Sequence, residues 1–335
     1  MTVFPSFEHI DSLTDRFGTF EHALHTGARP EHGYCTDDVA RLLVVTAREP
    51  ARTPAVCRLT RGAFEFVVEA QGGAGDIRNR RDATGCWHGR RTVEDCWGRS
   101  LWGFGVAAQS GDSGLGQEAL RRFERGAQRR SPWPRAMAYA ALGAAAVVQV
   151  HDGHPEASAL LSDAAELIGP AGTDDAWPWP EPRLTYANAL LPEALLAAGS
   201  LLARPVLVAD GLRLLGWLLD RETVETHLSV TPAGGSGPGD PHGFDQQPIE
   251  VATLAEACAR AAALTGSPRW TDGVRMAAAW FDGDNDTATP MWDPATGGGY
   301  DGLQAIGVNR NQGAESTIAL ISTRQKVQQL RKVPA

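Results

Sequence analysis

The stretch GYCTDDVARLLVVTAREPARTPAVCRLTRGAFEFVVEA, residues 33–70, holds two helical runs that begin in different ways. The first is entered through a Gly-Tyr-Cys turn and two adjacent aspartates, Asp37 and Asp38. The second starts plainly, at TPAVCRLT. The same contrast recurs along the chain. Apolar periodicity predicts twelve helices, near 8–26, 36–50, 55–71, 93–110, 116–130, 133–151, 157–169, 184–202, 206–222, 247–265, 269–285 and 311–330. The even-numbered ones follow elaborate loops: GYCTDD, RRTVEDCWGR, RRSPWPRAM, DDAWPWPEPRLTYAN, HGFDQQPIE and VNRNQGAES. The odd-numbered ones begin simply, as in GLGQEALRR and SPRWTDGV. Two helix types alternating six times predict an all-α (α/α)6 barrel. Six parallel inner helices open their N-termini, and the long loops before them, at one end, while six outer helices return the chain. The inner runs AMAYAALGAAAVV, LWGFGVAAQ and ALLPEALLAAGSLL have the apolar, small-residue character this requires. No fixed-period repeat marks a solenoid. Residues 1–335 read as one barrel domain with loose ends at 1–7 and 326–335.

Composition narrows the function. A net charge of −9 argues against a nucleic-acid partner, which needs a basic face. The five cysteines, Cys35, Cys57, Cys86, Cys96 and Cys258, form no C-x-x-C pair, and their odd number predicts free thiols rather than a disulfide framework. The N-terminus lacks the basic and apolar regions of a signal peptide, and no apolar run reaches membrane-spanning length. The expectation is a cytoplasmic protein without membrane insertion.

The candidate site follows from the loops before the even helices. Thr36 or Asp37 suits an N-cap, and the helix dipole favours a second acid in the first turn. Asp38 is then free to point into the mouth, steadied by Arg41, with Tyr34 ahead of it. In TVED, residues 92–95, Asp95 fits a capping-box pattern and Glu94 has no structural task. In GFDQQPIE, Asp245 suits a cap, Gln246 and Gln247 suit sugar hydroxyls, and Glu250 sits one turn into the helix. NRNQGAES repeats the arrangement with Asn311 as cap, Gln312, and Glu315, whose pKa is expected to rise if it has no partner. Glu181, Tyr186 and Asn188 precede the eighth helix, and Asp301 sits in the glycine-rich TGGGYDGL. Trp133, Trp177 and Trp179 lie in Pro-rich loops, where indoles stack on sugar faces or plug a core. His22 with His25 and His151 with His154 lack an H-E-x-x-H context, so they read as surface histidines, and neither a metal nor a cofactor is expected.

GYCTDDVAR, VEDCWGRSLW, LTYANALLPEALL, GFDQQPIE, TGGGYDGL and VNRNQGAEST, in this order over residues 8 to 325, resemble a family of bacterial α/α-barrel proteins. Its members are glycosidase-related and found beside, or fused to, glycosyltransferases and mannoside phosphorylases. The resemblance implies carbohydrate chemistry and a functional link to a glycosyltransferase. Val39, Trp97 and Ala187 stand where the family pattern has Asn, His and Asp, which implies a narrowed or altered specificity.

The residue reading favours a glycoside hydrolase acting on an oligosaccharide or small glycoside, by inversion with two carboxylates. Glu250 or Glu315 is expected to be the acid, and Asp38 or Glu94 the base. Three alternatives share the scaffold. An epimerase or isomerase would use loop histidines such as His32, His88 or His242. A uronate lyase would use Arg135 or Arg183. A non-catalytic glycan-binding partner of a glycosyltransferase would need no acids.

Overall fold

Burial along the helices separates two populations. In Pro134–Val150 every residue from Arg135 to Val148 is buried. In Pro54–Ala70 only one stripe is, including Val56, Leu59, Ala63, Phe66, Val67 and Ala70. A helix buried all round lies inside a wall of other helices, whereas a single stripe marks an outer layer. The computed structural model describes residues 4–111 and 113–332. Its helices are α1 Glu8–Ser12, α2 Thr36–Ala47, α3 Pro54–Ala70, α4 Asp95–Ala108, α5 Ser113–Ala127 and α6 Pro134–Val150. The second half holds α7 Pro155–Ile168, α8 Leu190–Leu201, α9 Pro205–Arg221, α10 Pro248–Thr265, α11 Pro268–Phe281 and α12 Ala314–Lys332.

The even-numbered helices form the inner ring. Each packs on the next, from α2 through α4, α6, α8 and α10 to α12, and α12 closes on α2. Each is backed by an odd-numbered helix: α3 on α2, α5 on α4, α7 on α6, α9 on α8, α11 on α10 and α1 on α12. This is the (α/α)6 barrel. Close approach in the ring depends on glycine. A methyl at Gly105 of α4 would overlap the carbonyl of Gly143 of α6, and one at Gly143 would overlap the carbonyl of Leu101.

Four sequence expectations change. The first helix ends at Ser12 instead of reaching 26, because Asp15 accepts the N–H groups of Phe17 and Gly18 in a turn and Gly18 has φ +155°. The eighth begins at Leu190 instead of 184, since the segment before it turns through Ala187 at φ +46°. The connection between the helices expected near 55–71 and 93–110 is largely a hairpin: Ile77–Arg81 pairs antiparallel with Trp87–Thr92 and with Tyr34–Cys35. Of the expected loose ends, 326–332 belongs to α12, where Lys326 pairs with Glu256 at 2.6 Å, and Phe7 is buried in the core. Residues 1–3 and 333–335 lie outside the described residues. All five cysteines are free thiols. No helix among the described residues is long and apolar enough to cross a membrane.

Candidate active site

The inner N-termini meet over a cavity with two lobes. The first, of about 440 Å³, is lined by Asp37, Asp38 and Arg41 of α2, Arg99 of α4, Asp245 and Gln247 ahead of α10, and Glu315 of α12. Glu21, His22, Arg80, Asp301, Asn309 and Asn311 complete its wall. The second, of about 480 Å³, is lined by Glu94 and Asp95, Trp133 and Arg135, and Glu181 and Tyr186. Asp37 lines both lobes, so they meet at its side chain.

Two buried guanidinium groups organise the floor. Arg41 Nη2 bridges Asp38 Oδ1 and Glu315 Oε2, the latter at 2.8 Å. Arg99 Nη1 lies 3.1 Å from Asp37 Oδ1, and its Nη2 lies 3.6 Å from Asp95 Oδ2. The ring of Tyr139 lies beneath Arg99, with its centroid 4.8 Å from the guanidinium carbon. The Tyr186 hydroxyl donates to Asp95 Oδ2 at 2.8 Å, tying α4 to the loop before α8. Asp37 is held further by Asn79 Nδ2, which donates to its Oδ2 at 2.9 Å from the hairpin.

The carboxyl groups fall into two electrostatic classes. Burial pushes Asp38 up to about 7 against the attraction of Arg41. Burial, then repulsion from Asp301, raises Asp245, and its Oδ1 has no hydrogen-bond partner. Burial also raises Asp301, against donors from Ser316 and Gly313. Glu315 is the opposite case. Withdrawal from water opposes its ionisation, but Arg41 and Arg99 outweigh that and hold it below the usual range.

Several predicted site residues lie elsewhere. Glu250 is buried away from both lobes. Its oxygens accept the N–H groups of Ala187 at 2.5 Å and Asn188 at 3.1 Å, and Asn188 Nδ2 at 3.1 Å. Asn188 is itself fully buried, with Oδ1 bonded to Arg135 and to the Thr185 N–H. Gln246 and Gln312 are buried, held by Asp286 and by Thr296 with Asp293. Tyr34 is fully buried, donating to Asp15 and stacked on Phe20. Trp177 and Trp179 plug the wall around Trp217, both with Nε1 tied to Glu181, and only Trp133, 58% exposed, keeps its ring open to solvent at the cavity.

The capping assignments also change. Cys35, Glu94 and Gln247 occupy the N-cap positions, and none makes a side-chain cap bond. Thr36 instead donates to the carbonyl of Arg78, and Asn311 Oδ1 accepts the His25 N–H. Asp38 lines the first lobe but is buried, and Glu94 is exposed at the rim. Val39, Trp97 and Ala187 are all buried, and none of them lines either lobe.

Sequence reasoning missed Glu21, His22, Asn79, Arg80 and Arg99. The first two were hidden by reading a helix through 8–26. The turn signal around Gly18 would have exposed them. Among the histidines of the epimerase alternative, His32 packs edge-on to the cavity-lining His22 at 5.0 Å, whereas His88 pairs with Asp82 outside. Of the lyase candidates, Arg135 reaches the second lobe, and Arg183 donates to the carbonyl of Gly234. Glu21, Cys35 and Asp38 bring three potential ligand atoms within 4.8 Å of one another. They suit a cation poorly. Arg80 and Arg41 already pair the two carboxylates, and burial with neighbouring acids pushes the Cys35 thiol well up.

No family model matches the chain, and no curated protein matches it by sequence. Solved structures do. A sugar epimerase from a ruminal bacterium superposes with a TM-score of 0.74 at 10% identity, over 97% of this chain and 96% of that one. Cellobiose 2-epimerase from Bacillus thermoamylovorans gives 0.73 at 11%, over 97% and 95%. A cellulase of C. cellulolyticum gives 0.60 at 8%, over 93% and 88%. At such identities the likeness establishes architecture alone: the chain is similar to these proteins in being an (α/α)6 barrel.

Proposed function

We propose that the protein is a carbohydrate-active enzyme that cleaves a glycosidic bond by a two-carboxylate, inverting reaction. The observation that carries this reading is the opposite tuning of two carboxyl groups that line one lobe: Asp245 is raised, its buried Oδ1 without a hydrogen-bond partner, and Glu315 is held ionised by two guanidinium groups. A proton donor and a proton acceptor in one cavity are what such a reaction needs. Protonated Asp245 gives its proton to the glycosidic oxygen as the C–O bond breaks. Glu315 takes a proton from a water, whose oxygen bonds to the anomeric carbon on the opposite face. Gln247, Asn309 and Asn311 serve the hydroxyls of the sugar in the first lobe. Trp133 offers a ring face to its neighbour in the second, so the substrate has at least two units. Asp38, already paired with Arg41, positions that guanidinium.

The test uses Asp245→Asn and Glu315→Gln on a panel of defined oligosaccharides. Each variant should lose about 10²–10⁴-fold in turnover while remaining folded. Wild-type turnover should fall as pH drops through the lowered ionisation of Glu315 and as it rises through the raised ionisation of Asp245. Both variants cleaving within a few-fold of wild type would remove the assignment.

Epimerisation of a reducing sugar is the second reading. It is favoured by the match to the sugar epimerases over nearly their whole length and by His22 facing the first lobe. Reactions run in D₂O separate the two. Epimerisation places deuterium on the carbon next to the carbonyl, and cleavage releases a new reducing end without it.

A further inference from the structure

A third cavity, of about 420 Å³, lies close beside the first lobe and is not used by the reaction above. Trp217 and Arg221 of α9 line it, with Thr231, Asp240 and His242 from the loop that leads to α10. One backbone segment divides the two spaces. Pro241 and His242 face this cavity, while Asp245 and Gln247 face the lobe. Only two residues, Gly243 and Phe244, lie between His242 and Asp245, so their Cα atoms lie within about 11 Å.

The walls are fixed by their own contacts. Arg221 Nη2 donates to Ser236 Oγ at 2.8 Å and to the Gly237 carbonyl at 2.9 Å. Its guanidinium also rests against Trp177 and Trp217, at 5.3 and 5.8 Å from their centroids. Asp240 Oδ2 accepts the Gly237 N–H at 2.6 Å, closing the turn. Beneath them the buried Glu222 accepts the N–H and hydroxyl of Thr231 at 2.9 and 2.5 Å. Asp220, Glu222 and Asp240 oppose a single guanidinium that is already engaged, so an anion is disfavoured. Indole and proline surfaces beside hydroxyl and carboxylate groups suit a neutral polyhydroxyl ring. Its C–H faces need apolar cover, and its hydroxyls need donors and acceptors together.

We propose that this cavity is an accessory saccharide subsite, which holds a further unit of the oligosaccharide whose reacting unit occupies the first lobe. The inference rests on the carbohydrate reading and adds a preference for longer chains. The segment 242–245 is the saddle over which the chain passes.

The test is calorimetric titration of the full chain in the Glu315→Gln background with cello- and manno-oligosaccharides of two to six units. Affinity should rise with length in at least one series. His242→Ala and Trp217→Ala should each weaken the longest binder about tenfold, or ~1.4 kcal/mol, and leave the disaccharide nearly unchanged. His242 is exposed, so its variant tests the site even if loss of Trp217 disturbs folding. An unchanged ratio of long-chain to short-chain affinity in His242→Ala overturns the subsite and leaves the carbohydrate reading standing. Failure of wild type and the Glu315→Gln protein to bind any saccharide overturns both.

Discussion

Glu250 belongs to the most specific motif in the sequence, GFDQQPIE, and sits one turn into an apolar helix. Those features are shared by a catalytic acid and by a structural clamp, and only the partners separate them. Three N–H donors from Ala187 and Asn188 engage the carboxylate, so it secures the turn before α8. Burial, with repulsion from Glu222, nevertheless pushes it up to about 8. An acid raised on folding contributes stability that is complete below the unfolded pKa, near ~4.3, and is lost as pH rises through the folded value. Glu250→Gln should therefore show a flatter decline in stability between pH 5 and 8 than wild type. It also leaves one donor short of an acceptor, at a cost of about 1–3 kcal/mol. Denaturant titrations at both pH values check this, and turnover should stay close to wild type. Glu315 shows the same limit of sequence reading from the other side. Its raised pKa was expected only without a partner, and Arg41, 274 positions away, provides one. Asp245, Gln247, Asp301 and Asn311 were legible because loop chemistry before a helix places side chains at its mouth. Gln246 and Gln312 belong to the same motifs and turn inward, which motif membership does not distinguish.

At the scale of helices, the alternation of plain and elaborate starts was enough to assign inner and outer roles. The inner helices had to be apolar all round, and the outer ones needed one stripe. The missing piece was what ties inner helices together away from the mouth. Glu256 of α10 accepts from Arg48, just past α2, at 2.7 Å, and from Lys326 of α12 at 2.6 Å, with Ser322 beside it. Burial alone would raise Glu256, but the two cations hold it at about 2. Its depressed value means that this contribution is present above the unfolded pKa and is lost as pH falls through the folded one. Glu256→Gln leaves two largely enclosed cations, Arg48 and Lys326, without their counter-charge. A loss of about 3–5 kcal/mol is expected at neutral pH. The gap between variant and wild type should shrink as both are taken from pH 5 towards pH 2. A difference that does not change with pH would mean the cluster is solvated and contributes little. Nothing in the local sequence around Glu256 announces this, since Arg48 and Lys326 come from opposite ends of the chain.

Ring closure makes those distant ends neighbours and gives the whole molecule its cooperativity. The first lobe takes Asp38 and Arg41 from α2 and Glu315 from α12, so its charge network exists only when the last inner helix docks on the first. A barrel that opened at one seam would expose the inner faces of both flanking helices. It would also strand Arg41 and Arg48, each of which faces a carboxylate on another inner helix. Partly opened rings should therefore be poorly populated. The ten tryptophans report on this from several sectors, because Trp97 lies fully buried in α4 and Trp280 fully buried in α11. Helical circular dichroism and tryptophan fluorescence should follow one denaturation curve with a shared midpoint. Because the seam carries Glu315, catalytic activity should disappear along that same curve. If activity is lost well before helicity, the α12–α2 seam opens as a separate unit. If the two spectroscopic curves part, the chain folds as more than one domain.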